Sequence, residues 1–384
     1  MPNALAEGDA LLSSGQRERA LARYTATPAG RERPGRYWKV DLESVAPDPA
    51  ACEPGLGSVR IERVPARVIA CDLETAAREH RALLDRVFGV TAAGTTKFGA
   101  LATAFAGLGA FVYIPADAAC DEPVLVSYDV PAGATVFPYT LVLAERGARA
   151  SVVERLSGGD DAFVCAVAEV VAGEASSVTY AALQSLAPGA RVLVTRAANP
   201  QRDASVAWAS AELGAALCAE TLDVALEAPG SQAQLTSLFF PTGTQHVDVV
   251  STVDHRVGET RSETIVKSAA TDGGQARYLG NIRIARHAQG SDASLRDDAL
   301  LLSPKAHIDS IPALEIAAND VKAYHGATVG ALDAQHIFYM ESRGIDRMAA
   351  ERMIALGFFE PAIERFPTEE LRGQIRTALA EKLS

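Results

Sequence analysis

The fold is decided by the stretch Ala306-His-Ile-Asp-Ser-Ile-Pro-Ala-Leu-Glu-Ile-Ala-Ala318. Its even-numbered positions are all uncharged, whereas its odd-numbered positions include His307, Asp309 and Glu315. A period of two is typical of a β-strand with one buried face and one solvated face. Pro312 within the run disfavours a helix, because proline removes a backbone donor and clashes with the preceding turn.

Similar strand-like segments recur along the chain at regular steps. Three of them begin at Ser176, Ala204 and Ser231, so that the two steps between them are nearly equal. Later segments begin at alanines, between which a longer and a shorter step alternate: Ala276, Ala293, Ala306 and Ala323. Regular steps of this kind indicate a solenoid, because each coil buries its inner face only by stacking on the next. The sequence therefore predicts a β-helix over residues 121–330, with a β-sandwich as the structural alternative.

Helical patterns flank this predicted core on both sides. An N-terminal helical region is expected over residues 1–120, with helices over the ranges 3–22, 73–88 and 95–107. A C-terminal helical region is expected over residues 331–384, with the candidate N-caps Asp333, Asp346 and Thr368. The narrow apolar face of its last helix suits packing either on the chain's own β-helix or on a partner.

The composition describes an acidic protein. Of 384 residues, 48% are apolar and 22% are charged, and the net charge is −12. Such a chain gains nothing from neutralising phosphates or an anionic leaflet, so neither nucleic acid nor a membrane is expected as a partner. No run approaches the roughly 18 consecutive apolar residues of a spanning helix. Residues 1–9 lack a basic segment ahead of an apolar one, which predicts a cytoplasmic protein.

The arrangement of the cysteines does not indicate an enzyme, and four common motifs of enzymes are absent from the sequence. The five cysteines are scattered without a C-x-x-C pair, which is typical of small buried side chains rather than of a disulfide framework or a zinc site. The sequence contains no P-loop, no dinucleotide-binding glycine fingerprint, no G-x-S-x-G elbow and no H-E-x-x-H helix. We therefore expect no catalytic activity of the chain by itself.

One polar group that could carry chemistry lies between residues 246 and 255. Its members are His246, Asp248, Asp254 and His255. His246 and Asp248 are two residues apart and so share one face of a strand, as a metal site or an acid–base pair would require. Polar residues that form hydrogen bonds across neighbouring coils are the alternative interpretation.

A second polar group contains Asp292, Asp297 and Asp298, next to Gly290 and Ser291. Pectate-lyase-type enzymes hold calcium with acidic residues on a β-helix. A β-helical carbohydrate-active enzyme is therefore the alternative function, and it requires a groove in which acids converge. Turn residues have the same composition and are the structural alternative.

Several runs in the second half of the chain match the sequence motifs of one known family. They are Leu300-Leu-Leu-Ser-Pro-Lys-Ala-His-Ile-Asp-Ser-Ile-Pro-Ala-Leu-Glu-Ile316, Asn319-Asp-Val-Lys-Ala-Tyr-His-Gly-Ala-Thr-Val-Gly330, Ile337-Phe-Tyr-Met-Glu-Ser-Arg-Gly-Ile345 and Ala355-Leu-Gly-Phe-Phe359. These runs resemble the SufB/SufD family of iron–sulfur cluster assembly proteins, and they are closer to SufD than to SufB. Weaker matches before residue 120 include Tyr37-Trp-Lys39 and Val112-Tyr-Ile-Pro115.

The resemblance implies a fold and a role. The fold would be a right-handed parallel β-helix flanked by N-terminal and C-terminal α-helical regions. The role would be that of a non-catalytic, SufD-like scaffold subunit of the SUF complex. Such a subunit pairs with SufB and docks the ATPase SufC through its C-terminal helical region, while ATP binds to SufC. A homodimer in isolation is compatible with the resemblance.

The resemblance also carries over to particular residues. His325 matches a histidine at the SufB interface, and Ala323 occupies the position of a cysteine in some family members. Residues two apart on a strand share a face, but alanine offers no thiolate, which is the usual ligand of Fe–S clusters. We therefore expect no tightly bound cofactor in the chain alone. A transient iron ion or Fe–S cluster at the SufB interface would use His325 together with a thiolate of the partner.

The expected SufC-binding surface lies in the C-terminal helical region. The residues predicted to form it are Arg343, Gly344, Ile345, Met348, Ile354 and Phe358.

Overall fold

The structure is a computed structural model that describes residues 11–28, 35–53, 56–91 and 96–383. The predicted first helix, 3–22, therefore lies partly outside the described residues. The described strands are β1 (Ser58–Glu62), β2 (Ile69–Asp72), β3 (Gly109–Ile114), β4 (Val124–Val130), β5 (Thr135–Val136), β6 (Tyr139–Ala144), β7 (Arg149–Gly158), β8 (Phe163–Ala172), β9 (Ser177–Leu186), β10 (Arg191–Pro200), β11 (Ser205–Glu212), β12 (Leu217–Leu226), β13 (Gln232–Phe239), β14 (His246–His255), β15 (Arg261–Ala270), β16 (Gln275–Ile284), β17 (Asp292–Leu301), β18 (His307–Ile316) and β19 (Lys322–Ala331).

Helices occur only toward the two ends of the described chain. They are α1 (Ser14–Ala26), α2 (Leu42–Val45), α3 (Leu73–Glu79), α4 (Arg81–Leu84), α5 (Lys97–Ala104), α6 (Ala334–Ser342), α7 (Arg347–Ile363) and α8 (Glu369–Lys382), with a short 3₁₀ turn at Pro49–Ala51. None of these helices combines the length and the apolarity needed to cross a membrane.

The strands form two long sheets that share one solenoid of about eight turns. Sheet A has the strand order β1-β4-β7-β9-β11-β13-β15-β17-β19, and sheet B has the order β2-β3-β6-β8-β10-β12-β14-β16-β18. Successive strands therefore alternate between the sheets from β6 onward, and all neighbours within a sheet are parallel except the pairs β1–β4 and β2–β3. The predicted parallel β-helix is confirmed and the β-sandwich alternative is wrong.

The step between the recurring segments corresponds to the number of residues in one coil. On three neighbouring strands of sheet A, Ser205 is the register partner of both Ser177 and Gln232, and each residue lies one coil from the next. Ala293 is likewise the register partner of Ala323. The recurring segments thus stack because side chains at equal positions face the same interior, which is filled mainly by Val, Ala, Leu and Ile.

The N-terminal region is not purely helical. Strands β1, β2 and β3 lie before residue 121 and belong to the two sheets. The helix predicted over 73–88 is divided into α3 and α4, because the backbone of His80 leaves the helical conformation. The prediction at 95–107 is confirmed by α5, whose buried Phe98 contacts the rings of Tyr24 and Tyr37.

The C-terminal helices pack on the outer face of sheet A. Asp333, Asp346 and Thr368 are the N-caps of α6, α7 and α8, and each side chain accepts a hydrogen bond from a backbone N–H of the first turn. Buried residues of α7 and α8 form a second apolar cluster with sheet A: Leu238, Phe240, Ala269, Leu300, Phe359, Leu371, Ile375 and Leu379. The apolar face of the last helix therefore packs within the chain.

Candidate functional site at the open end of the solenoid

The two sheets end in strands whose outer edges pair with no other described strand. On sheet B, β18 pairs only with β16, and on sheet A, β19 pairs only with β17. Each strand is ten residues long. A free edge presents a row of backbone N–H and C=O groups that can pair with another chain. We call the surface formed by His307–Ile316 and Lys322–Ala331 the open end.

Large apolar side chains are exposed at the open end. Tyr324 is 61% exposed, Val329 is 44% exposed and Ile316 is 41% exposed. Burying one such side chain fully is worth about 1.5–3 kcal/mol. The open end therefore combines unpaired backbone groups with apolar surface.

His325 lies on the row of β19 that continues the interior of the solenoid. Its register partner on β17 is the buried Leu295, and the partner of Ala323 is the buried Ala293. Ala323 still packs against the core, whereas His325 is exposed because no further coil covers it. The predicted pair thus shares one face, and no cysteine of this chain lies beside it, since the last one is Cys218.

Asp297 lies one strand below the open end and points inward. It is fully buried, and its Oδ2 accepts a hydrogen bond from the hydroxyl of Ser310 on β18. Its Oδ1 has no hydrogen-bond partner. Burial raises the pKa of Asp297 to about 6, an effect that the hydrogen bond from Ser310 opposes.

The aspartates predicted as a calcium group do not converge. Asp298 points to the opposite face from Asp297, where it contacts Lys267 at 2.9 Å and Thr328 at 2.7 Å. Asp292, at the start of the strand, is 3.9 Å from Arg261. The calcium interpretation is wrong because successive residues of a strand alternate between faces. In the described part of the chain, no three His, Cys, Asp or Glu residues form a group that could hold a metal ion.

The group at residues 246–255 is also dispersed. Asp248 forms a buried ion pair with Arg277, at 2.9 Å from Nε. Asp254 pairs with Arg256 on the surface at 2.8 Å. His255 points inward, where its ring nitrogens lie 2.7 Å from Thr260 Oγ1 and 2.9 Å from Ser262 Oγ, and burial lowers its pKa to about 4. Asp248, Asp254 and His255 thus form hydrogen bonds and ion pairs within and between coils and do not make one site. His246 lies near Asp248 and Arg277, and burial lowers its pKa.

The structure contains a buried charge cluster that the sequence did not predict. Arg196 Nη1 lies 2.8 Å from Glu212 Oε1 and 2.6 Å from Glu220 Oε1, and all three side chains are buried. Glu154 completes the cluster at 3.9 Å from Arg196. Burial raises the pKa of Glu212 to about 7, and the neighbouring Glu220 acts in the same direction. The available signal was charge at inward positions of the strand alternation.

Cys218 lies at the edge of this interior cluster. Its Sγ is 3.3 Å from Glu212 Oε2. Burial and the adjacent carboxylates raise the pKa of the thiol well above its ordinary value. All five cysteines are free thiols, and Cys218 is an unreactive buried one.

A second exposed apolar surface lies on α6 and α7. Met348 is 79% exposed and Phe338 is 72% exposed, and Tyr339 and Met353 are also exposed. Of the residues predicted to form the ATPase-binding surface, Arg343 and Gly344 are exposed, whereas Ile345 and Ile354 are half-buried. Phe358 is half-buried against the second apolar cluster, under the ammonium group of Lys267. Phe338, Tyr339 and Met353 were missed because helix periodicity alone does not tell which face is covered.

Comparison with known proteins gives one consistent result. The family model described as "SUF system FeS cluster assembly, SufBD core domain" matches residues 128–358. Iron–sulfur cluster assembly SufBD family proteins of Staphylococcus saprophyticus and Staphylococcus epidermidis are each 28% identical over 307 residues, and one of Staphylococcus aureus is 27% identical. These alignments cover 79% of this chain and 66% of each relative, so the chain spans about two thirds of the length of the relatives it matches.

Proposed function

Because the chain belongs to the SUF system SufBD core family, we propose that it is a non-catalytic, SufD-type scaffold subunit of an iron–sulfur cluster assembly complex. In this proposal the chain pairs with a SufB-type protein and holds a SufC-type ATPase. The open end is the observation that carries the proposal. Pairing with another subunit would account for the free strand edges of the open end, for its exposed apolar side chains and for the position of His325.

The partner at the open end would be a second β-solenoid of the SufB type. Strand edges of β18 and β19 would pair with edges of the partner, so that backbone hydrogen bonds give affinity and side-chain contacts give specificity. Tyr324 and Val329 would become buried in the contact. Gly326 suits this arrangement, because a Cβ there would lie 2.5 Å from the hydroxyl oxygen of Tyr324 and would displace that ring.

His325 would contribute one imidazole ligand to iron at this interface. Ala323, on the same face, offers no ligand, so the thiolates that Fe–S clusters require would come from the partner. Iron or a nascent cluster is cargo in this proposal and is held only when both subunits are present. His325→Ala is expected to lower cluster yield in the complex and to leave complex formation intact.

The apolar surface of α6 and α7 would dock the ATPase. Exposed Met and aromatic side chains on helices are typical of adaptable protein contacts. The absence of a P-loop in this sequence supports the assignment of ATP to the partner. Truncation after Gly330 is expected to abolish ATPase binding, and Met348→Glu is expected to weaken it without affecting the contact at the open end.

Co-expression with SufB-type and SufC-type proteins tests the proposal. The tagged wild-type chain should elute with both partners in size-exclusion chromatography, with a mass by light scattering above that of a homodimer. Val329→Lys should lose the SufB-type partner, because it places a charge in the contact. Val64→Lys is the matched control, since Val64 is 42% exposed but lies away from the open end, and it should bind as wild type does. Undiminished binding by Val329→Lys would contradict the assignment of the open end.

A further inference from the structure

Asp297 is the least explained charged side chain near the open end. Its carboxyl group has no exposed surface, and one of its two oxygens lacks any hydrogen-bond partner. Leaving a buried polar atom unpaired costs about 1–3 kcal/mol, and such atoms often serve a function. No described cation lies within ion-pair distance of this carboxylate, in contrast to Asp298 on the next position.

Ser310 connects this buried carboxyl group with the open end. Its hydroxyl donates to Asp297 from β18, the last strand of sheet B, and Ser310 itself is only half-buried. The register partners of Asp297 on its own sheet are Val266 on β15 and Ala327 on β19, neither of which carries a polar side chain. A half-buried serine whose hydroxyl is bonded to a buried carboxyl group can act as a proton relay between that group and the surface.

Few other titratable groups face Asp297. Asp298 on the same strand points to the opposite face, and its charge also raises the pKa of Asp297. Tyr278 on β16 is bonded to Ser251 at 2.6 Å, and the charge of Asp297 raises the pKa of this tyrosine. Burial is the main reason that the pKa of Asp297 rises to about 6. The group therefore binds and releases a proton within the pH range in which proteins work.

We propose that Asp297, reached through the hydroxyl of Ser310, is a proton acceptor for the chemistry at the open end. The inference rests on the proposed function, because thiols release protons when they bind iron. In the step, Ser310 passes its hydroxyl proton to Asp297 Oδ2 while its oxygen accepts the proton of a thiol or water at the open end. The donor keeps its electron pair as a thiolate or a hydroxide, Asp297 becomes neutral, and the proton later returns to solvent by the reverse route.

The protonation of Asp297 is measurable in the chain alone. Infrared difference spectroscopy between wild type and Asp297→Asn is expected to show a protonated carboxyl band at pH 5 that disappears with a midpoint near 6. Asp298→Asn is the matched control, because that carboxylate lies on the opposite face: the band should remain, with its midpoint shifted downward by the loss of the neighbouring negative charge. A carboxyl group that is already ionised at pH 5, or still neutral at pH 8, would overturn the inference.

The role of Asp297 is tested by the pH profile of cluster assembly in the full complex. The wild-type rate should fall as the pH drops through about 6, since a protonated Asp297 accepts no proton. Asp297→Asn should lower the rate at pH 7.5 about tenfold or more and remove this dependence, because positioned proton transfer contributes about 10²–10⁴-fold. Ser310→Ala should act in the same direction and serves if the Asn variant does not fold.

The possible failures are distinguishable. A complex that assembles normally with Asp297→Asn and keeps the wild-type pH profile overturns the proton-acceptor role and leaves the scaffold function standing. A wild-type chain that forms no complex overturns the scaffold function, and the proton-acceptor role with it.

Discussion

The two ends of the solenoid are built differently. At the N-terminal end the sheets finish in the short antiparallel strands β1 and β2, and helices α1, α3 and α5 cover the neighbouring surface. At the C-terminal end they finish in two parallel strands of ten residues with exposed apolar side chains. Short strands and covering helices are common protections of a sheet edge. The comparison shows that one end is covered within the chain, while the other leaves a row of backbone bonding groups unpaired among the described strands.

The largest effect on stability is expected in the interior of the solenoid, at the buried charge cluster around Arg196. Arg196→Met leaves three buried carboxylates, those of Glu154, Glu212 and Glu220, without their guanidinium group. Removing one partner from a buried ion pair costs about 3–5 kcal/mol, and we expect a loss near the upper end of this range in the free energy of unfolding. Urea denaturation followed by circular dichroism measures it. A loss below about 1 kcal/mol would show that the cluster is not sealed from water.

The next largest effect is expected at the covered N-terminal end. Phe98 is fully buried, with its ring centroid 6.0 Å from that of Tyr24 and 5.3 Å from that of Tyr37. Phe98→Ala should destabilise the chain by about 3–4 kcal/mol, because it removes buried apolar surface and leaves a cavity. Thermal unfolding measures the change, and Phe338→Ala on the exposed face of α6 is the control. Equal effects of the two substitutions would contradict the contrast between covered and open surfaces.

A smaller effect depends on pH. Burial lowers the pKa of His255 to about 4 in the folded chain, below the ordinary value near 6.5. The unfolded chain therefore binds a proton first as the pH falls, so the stability from neutral His255 is complete above about 6.5 and is lost toward 4. At pH 5 this loss is about 2 kcal/mol. The free energy of unfolding, measured by urea denaturation, should differ less between wild type and His255→Gln at pH 5 than at pH 7, by about 2 kcal/mol. A difference that does not change with pH would refute the lowered pKa of His255.

The smallest effect on stability is expected at the open end. Val329→Lys changes an exposed side chain on a free edge, and exposed substitutions usually alter stability by no more than about 0.5 kcal/mol. The same variant is expected to lose the SufB-type partner, so stability and binding should separate at this position. A marked drop in the melting temperature of the isolated chain would show that the open end belongs to its own core.

The sequence predicted the features that repeat and missed those that depend on which faces meet. The nearly constant step between coils was visible in the chain and reappears in register partners such as Ser177 and Ser205. The N-caps Asp333, Asp346 and Thr368 were equally visible, because capping is a local interaction. The cluster around Arg196 was not predicted, since its members come from β7, β10, β11 and β12 and meet only when the coils close.

By itself, the sequence determined the solenoid, its C-terminal helices and the strand face that Ala323 and His325 share. These features follow from periods of two and of one coil, and from local capping, which act between residues near in sequence or at equal steps. Only the tertiary structure decided what the two faces of β17 meet: Asp297 is sealed in the interior, whereas Asp298 is paired with Lys267. Their charges depend on burial and on neighbours from other coils, which neighbouring positions in a sequence do not reveal.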